Sequence, residues 1–159
     1  MILSTQTDIG SKRFGDEKNV RMICEAGFDA LDYSMFCMQD DDNILNQPNY
    51  REHVLKIQDI VKSFGKHFNQ AHAPFPSFRV GDDTYNTVIL EKIKRSIEIA
   101  GILDVPNIVI HPTYYGKDSK RNLELNAEFY NALIPLCKEY NIKIAVENMF
   151  GRDRRRGCI

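Results

Sequence analysis

Short apolar runs alternate with longer stretches of helical period along this chain. Ile2-Leu3-Ser4-Thr5 reads as a short first strand. From Asn19 to Ala26, Val20, Ile23 and Cys24 fall at helical spacing, and Gly27 can stop the helix. Phe28 to Ser34 reads as a second strand. Gln39 to Asn49 is polar, acidic and contains Pro48, so it is a loop. Tyr50 to Phe64 then carries Val54, Ile57, Val61 and Phe64 on one stripe, with Gly65 as its stop. His67 to His72 is a third strand, ended by Ala73-Pro74-Phe75-Pro76, where two prolines forbid continuation. Thr87 to Leu103 places Leu90, Ile93, Ile97 and Ala100 on one amphipathic face. Asp104-Val105-Pro106 turns the chain into a β-branched strand, Asn107 to His111, closed by Pro112. Asn122 to Tyr140 aligns Leu123, Ala127, Tyr130, Ile134 and Cys137 as a further helix. Asn141 ends it, and Ile142 to Glu147 is a fifth strand. Strands alternating with helices predict an α/β fold, a parallel sheet built from right-handed βαβ units. No linker or composition shift divides the chain.

In such folds the ligand site lies at the carboxyl ends of the strands. Three strands here end on a chemically capable residue: His72, His111 and Glu147. Asp32, near the end of the second strand, is a further acidic candidate. Side chains alternate along a strand. His111 therefore shares a face with Val109, and Glu147 with Ala145, while Ile108, Ile110, Ile144 and Val146 point the other way towards helices. His72 shares its face with Gln70. The three strand-end groups are thus expected to converge on one mouth. His53 lies within a helix, and His67 starts a strand on the face opposite His72, so both read as structural. Asp40-Asp41-Asp42 is expected to be a solvated loop, because consecutive side chains diverge.

Charge and composition narrow the possibilities. Of 159 residues, 43% are hydrophobic and 27% charged, and the formal charge is −1. This balance excludes a disordered chain. No stretch approaches the ~20 apolar residues of a spanning helix. With 21 cationic residues against 22 anionic ones, nothing predicts a nucleic-acid surface. Cys24, Cys37, Cys137 and Cys158 are scattered without a CxxC, and no signal peptide is visible, so they are expected to be reduced thiols in a cytoplasmic protein. Cys24 and Cys137 fall on helix faces that pack.

Ala71-His72-Ala73-Pro74, Ile108-Val109-Ile110-His111-Pro112 and Ala145-Val146-Glu147-Asn148 occur in order, with Ala100-Gly101-Ile102-Leu103 before the fourth strand. With these motifs the chain resembles the xylose-isomerase-like TIM barrels, sugar and sugar-phosphate isomerases and epimerases together with the apurinic-site endonucleases. The resemblance implies a partial (β/α)8 barrel of about five βα units over residues 1–159, with a basic tail at 151–159. It implies that Glu147 is a metal ligand and moves the substrate proton, while His72 and His111 line a pocket for a small sugar or sugar phosphate; Asp32, from its place near a strand end, is expected to bind substrate beside them. The implied cofactor is a divalent metal, Mn²⁺ or Mg²⁺. In the endonuclease-like alternative it is Zn²⁺, held by His72, His111 and Glu147 together.

A full barrel has eight units and about 250 residues. The expectation is therefore that this chain is a portion of the enzyme, inactive by itself, with further metal ligands on later strands. A sheet left open has two edges that must be paired or covered. Homo-oligomers through those edges are expected, and a non-enzymatic self-associating half-barrel is a third reading.

Overall fold

The computed structural model describes residues 1–115 and 118–147. Five strands form one sheet: β1 (Ser4–Gln6), β2 (Ala30–Ser34), β3 (His67–His72), β4 (Asn107–Val109) and β5 (Lys143–Ala145). Their order across the sheet is the order of the chain, and every pairing is parallel. Parallel neighbours require a crossover between them, and here each is helical. These are α1 (Asp8–Phe14) and α2 (Asp16–Glu25) after β1, α3 (Tyr50–Ser63) after β2, α4 (Asp83–Ile102) after β3 and α5 (Ser119–Glu139) after β4. A strand order that never reverses, with crossovers of one hand, keeps the helices on one face of the sheet. The other face is left to line the interior of a barrel.

The core lies between sheet and helices. Leu31 and Tyr33 of β2, Phe68 and Ala71 of β3, and Ile108 of β4 are buried there against Val20, Val54, Ile57, Ile93 and Ile97. The stripes expected for α2, α3 and α4 are buried almost as read, with Phe64 left half-exposed at the end of α3. Gly27 (φ 92°) and Gly65 (φ 67°) follow α2 and α3 in the left-handed region expected of helix stops. Asp104 and Asn141 adopt the same conformation, at φ 59° and 55°, after α4 and α5.

Three local features depart from the sequence reading. The segment before Asn19 forms α1, which has no buried residue and so no apolar period to reveal it. In α5 the buried residues are Leu133 and Cys137, flanked by partly buried Phe129, Tyr130, Leu136 and Tyr140. Leu123, Ala127 and Ile134, expected on the inner stripe, are exposed. Spacing alone admits two adjacent stripes on this helix, and contact with α4 and the sheet selects the more aromatic one. In β3 the register against β2 shifts: Leu31 pairs with Phe68, but Asp32 pairs with Gln70, so Asn69 is an extra residue, a bulge. Ala30 and His67 are partners, as are Ser34 and His72. His67 therefore lies on the same side of the sheet as His72, not opposite it. It sits at the far end of the strand and is exposed.

Cys24, Cys37 and Cys137 are free thiols, and Cys24 and Cys137 are buried on helix faces as expected. Asp40, Asp41 and Asp42 are exposed in a loop, with Lys92 paired to Asp41 at 2.6 Å. No helix among the described residues is long and apolar enough to cross a membrane. The basic tail at 151–159, Asn148 and Cys158 lie outside the described residues.

Candidate metal centre at the strand ends

β2 places Ala30, Asp32 and Ser34 on the inner face, since Leu31 and Tyr33 are spent on the helix-side core. The bulge lets β3 follow this phase, so Gln70 and His72 also point inward. The Asp32 carboxylate is the anchor of the group. One oxygen meets His72 Nδ1 at 2.9 Å, and the other accepts from Gln70 Nε2 at 2.8 Å. The Asp32 and His72 side chains are largely buried. The pairing orients the imidazole and leaves Nε2 as the nitrogen available to a ligand.

β4 and β5 complete the set. Val109 pairs with His72 on one side and Ala145 on the other. These three share the inner face, and two residues on from Val109 and Ala145 come His111 and Glu147. His111 Nδ1 and Glu147 Oε2 are 3.4 Å apart. The two imidazole rings stand 5.9 Å apart, with Phe36 at 5.6 Å from His72 and Phe75 at 4.7 Å from His111. Ser77 Oγ donates to the His111 carbonyl at 3.0 Å, tying the loop after β3 to the end of β4. Burial lowers the pKa of His111. Glu147 opposes that shift and His72 reinforces it. His111 is therefore neutral at pH 7, the state in which imidazole accepts a metal or a hydrogen bond. The His72 and His111 side chains are about 10% exposed, whereas that of Glu147 is 52% exposed. The carboxylate is the member open to an incoming ligand.

One ligand atom from each of His72, His111 and Glu147 lies within 4.8 Å of the other two. Ligands about 2.1 Å from a tetrahedral ion stand about 3.4 Å from one another, so small movements would close these three on one cation. Two imidazoles and a carboxylate suit Zn²⁺ or Mn²⁺ with positions left for substrate or water. The Asp32–His72 contact is the outer carboxylate that metal-bound histidines usually carry. The donor set thus fits a divalent ion.

The sequence-predicted residues are brought together as one cluster, with Asp32 behind His72 rather than in front of it. His53 lies elsewhere. Its Nε2 meets the Asp16 carboxylate at 3.0 Å, and that carboxylate also accepts from the Tyr33 hydroxyl at 3.0 Å. Burial works to raise Asp16, but hydrogen bonds from His53, Ser11 and Tyr33 outweigh it and lower its pKa. This network clamps α2 and α3 to β2. Sequence reasoning missed Gln70 and Phe36 as members of the site, although Gln70 had been placed on the inner face.

This architecture, with its ligand cluster at the strand ends, is one that other proteins share. The family described as xylose isomerase-like TIM barrel matches residues 20–158, and this chain belongs to it. Comparison with curated proteins gives no match. Among solved structures, a D-tagatose 3-epimerase-like protein is 24% identical with a TM-score of 0.69. It matches over 100% of this chain and 56% of its own. The 3-keto-D-glucoside 4-epimerase of E. coli is 13% identical, TM-score 0.68, over 94% and 57%. A D-psicose 3-epimerase, solved in the presence of D-fructose, is 14% identical, TM-score 0.68, over 99% and 55%. At these identities the likeness is one of fold. The chain spans little more than half the length of these structures.

Proposed function

We propose that this chain carries the first five βα units of a divalent-metal-dependent sugar or sugar-phosphate isomerase/epimerase, acting by proton transfer next to a carbonyl. The observation that carries this reading is the convergence of His72, His111 and Glu147 within 4.8 Å at the strand ends. The sugar epimerases among its structural relatives support it. Glu147 is both a candidate ligand and the exposed carboxylate, so it is assigned to remove and return the carbon-bound proton. Neutral His111 and oriented His72 face the same space and hold substrate oxygens or the ion. The ion, when bound, would stabilise the negative charge that develops on the substrate oxygens. Further ligands are assigned to barrel units beyond these five, so the 159-residue chain by itself is expected not to turn over.

The test is solvent exchange. The intact gene product, loaded with Mn²⁺ in D₂O, should place deuterium on the carbon next to the carbonyl of a ketose such as D-fructose. Glu147→Gln should abolish the exchange. If a range of ketoses and their phosphates shows no exchange with the metal-loaded protein, the reading fails.

A second reading is favoured by one observation: the two-histidine, one-carboxylate set is also that of a zinc hydrolase. We weigh against it the 21 cations and 22 anions of the chain, since tracking a DNA backbone calls for a cationic surface. Zinc-dependent nicking of abasic duplex DNA, lost on raising the salt, would support it. Absence of cleavage and of any gel shift at low salt would remove it.

A further inference from the structure

Phe75 lies in the loop after β3, in a run that is otherwise fastened. Ala73 and Pro74 before it are buried, and the Ala73 N–H donates to the Val109 carbonyl at 2.9 Å. After it, the Pro76 carbonyl accepts from the Tyr85 hydroxyl, and buried Ser77 donates to the His111 carbonyl at 3.0 Å. Both flanks are held, and Phe75 between them is left 38% exposed. Single exposed apolar side chains are ordinary on a protein surface. This one is set against the candidate site. Its ring centroid stands 4.7 Å from that of His111, at an interplanar angle of 56°. The Nδ1 of the same imidazole is 3.4 Å from the Glu147 carboxylate, whose side chain is 52% exposed. Phe75 and Glu147 are thus an apolar and a charged group beside one imidazole, and both are reached from solvent.

We propose that Phe75 is a substrate-binding residue: the open face of its ring packs against carbon-bound hydrogens of the sugar whose oxygens meet His72, His111 and Glu147. The inference rests on the proposed sugar chemistry and adds to it a contact from the loop after β3. A sugar presents two kinds of surface, its hydroxyls and the C–H groups between them. The polar cluster serves the first. The face of an aromatic ring is electrically negative and apolar, so it attracts the second. Small-molecule sites combine aromatic walls with a few placed polar groups in this way. Epimers differ in which face of the sugar carries a hydroxyl, so a ring that needs a C–H face distinguishes between them.

The test uses the intact gene product with Mn²⁺ and the ketose it exchanges fastest in D₂O, starting from D-fructose. Phe75→Ala should raise KM about tenfold with kcat changed less than about twofold. Phe75→Leu keeps apolar bulk over His111 but no aromatic face, so its KM should rise nearly as far. Phe75→Tyr keeps the face and should stay within about twofold of wild type. Mn²⁺ affinity, read by chelator competition, should be the same in every variant. Phe75→Trp adds a readout that does not depend on turnover. The 159 residues contain no tryptophan. The indole fluorescence of this variant, taken as the difference from wild type, should change on titration with the ketose and saturate near its KM. A side chain that only covers His111 would give other results. Unchanged KM in Phe75→Ala, a wild-type KM in Phe75→Leu, a rise in KM matched by an equal loss of Mn²⁺ affinity, or an indole signal that the ketose leaves unmoved would each overturn the inference while leaving the sugar reading intact. Absence of exchange in the wild type across ketoses and their phosphates would overturn the sugar reading itself, and this inference with it.

Discussion

Single side chains of the candidate site divide into those proposed to meet a ligand and those that orient them. Asp32 is of the second kind. Outer carboxylates behind metal-bound histidines are typically worth 10–100-fold in metal affinity. Asp32→Asn should therefore weaken Zn²⁺ or Mn²⁺ binding by about that factor, read by competition with a fluorescent chelator, while the far-ultraviolet circular dichroism stays native. His111 makes a pH prediction. Its folded pKa lies below the ordinary 6.5 because burial disfavours the cation. The unfolded chain then binds the proton more readily, so stability is complete above about pH 6.5 and falls as pH drops through the folded pKa. Urea midpoints should decline from pH 7 to pH 5, and His111→Gln should flatten that decline. The positions of His72, His111 and Glu147 were legible from strand ends and alternation. The parts of Gln70 and Phe36 were not, because neither residue type marks a site until the fold sets one against Asp32 and the other beside His72.

The elements show what periodicity can and cannot reveal. Helices with a buried stripe were found with nearly correct limits. α1 was missed because it is held by polar and steric fit rather than by apolar burial. A Cβ on Gly10 would lie 1.9 Å from Asn19 Oδ1. Asn19 has little freedom to yield, being 5% exposed and donating to the Thr7 carbonyl at 2.9 Å and to Ser11 Oγ at 3.1 Å. Gly10→Ala should cost about 1–3 kcal/mol in a denaturant titration. The bulge in β3 was equally invisible, since one surplus residue leaves the composition of a strand unchanged. It has an unusual corollary. Deleting a strand residue normally turns every side chain beyond it to the other face. Without Asn69, however, His67, Phe68, Gln70, Ala71 and His72 would match Ala30 to Ser34 one for one. Deletion of Asn69 should therefore preserve metal binding at His72. Its expected cost is a small drop in thermal midpoint from loss of the 2.8 Å bond between Ser4 Oγ and Asn69 Oδ1.

At the scale of the whole molecule, the strand order makes β1 and β5 the two edges of the described sheet. Ile2, Leu3 and Ile9 are exposed beside the first, and Val146 beside the second. Unpaired edges with apolar neighbours favour association. Light scattering on the 159-residue chain should show mass rising with concentration, and Leu3→Lys with Val146→Lys should return it towards the monomer. A concentration-independent monomer would remove the expectation. The chain's order in space is also its order of synthesis. Each strand that leaves the ribosome finds its only earlier neighbour already made, so assembly can keep pace with translation. The consequence falls on the proposed chemistry: Asp32 can settle against His72 early, His111 joins next, and Glu147, the group assigned to the proton, comes after all three. On that proposal, the histidines of a nascent barrel are in place before the carboxylate that would move the proton.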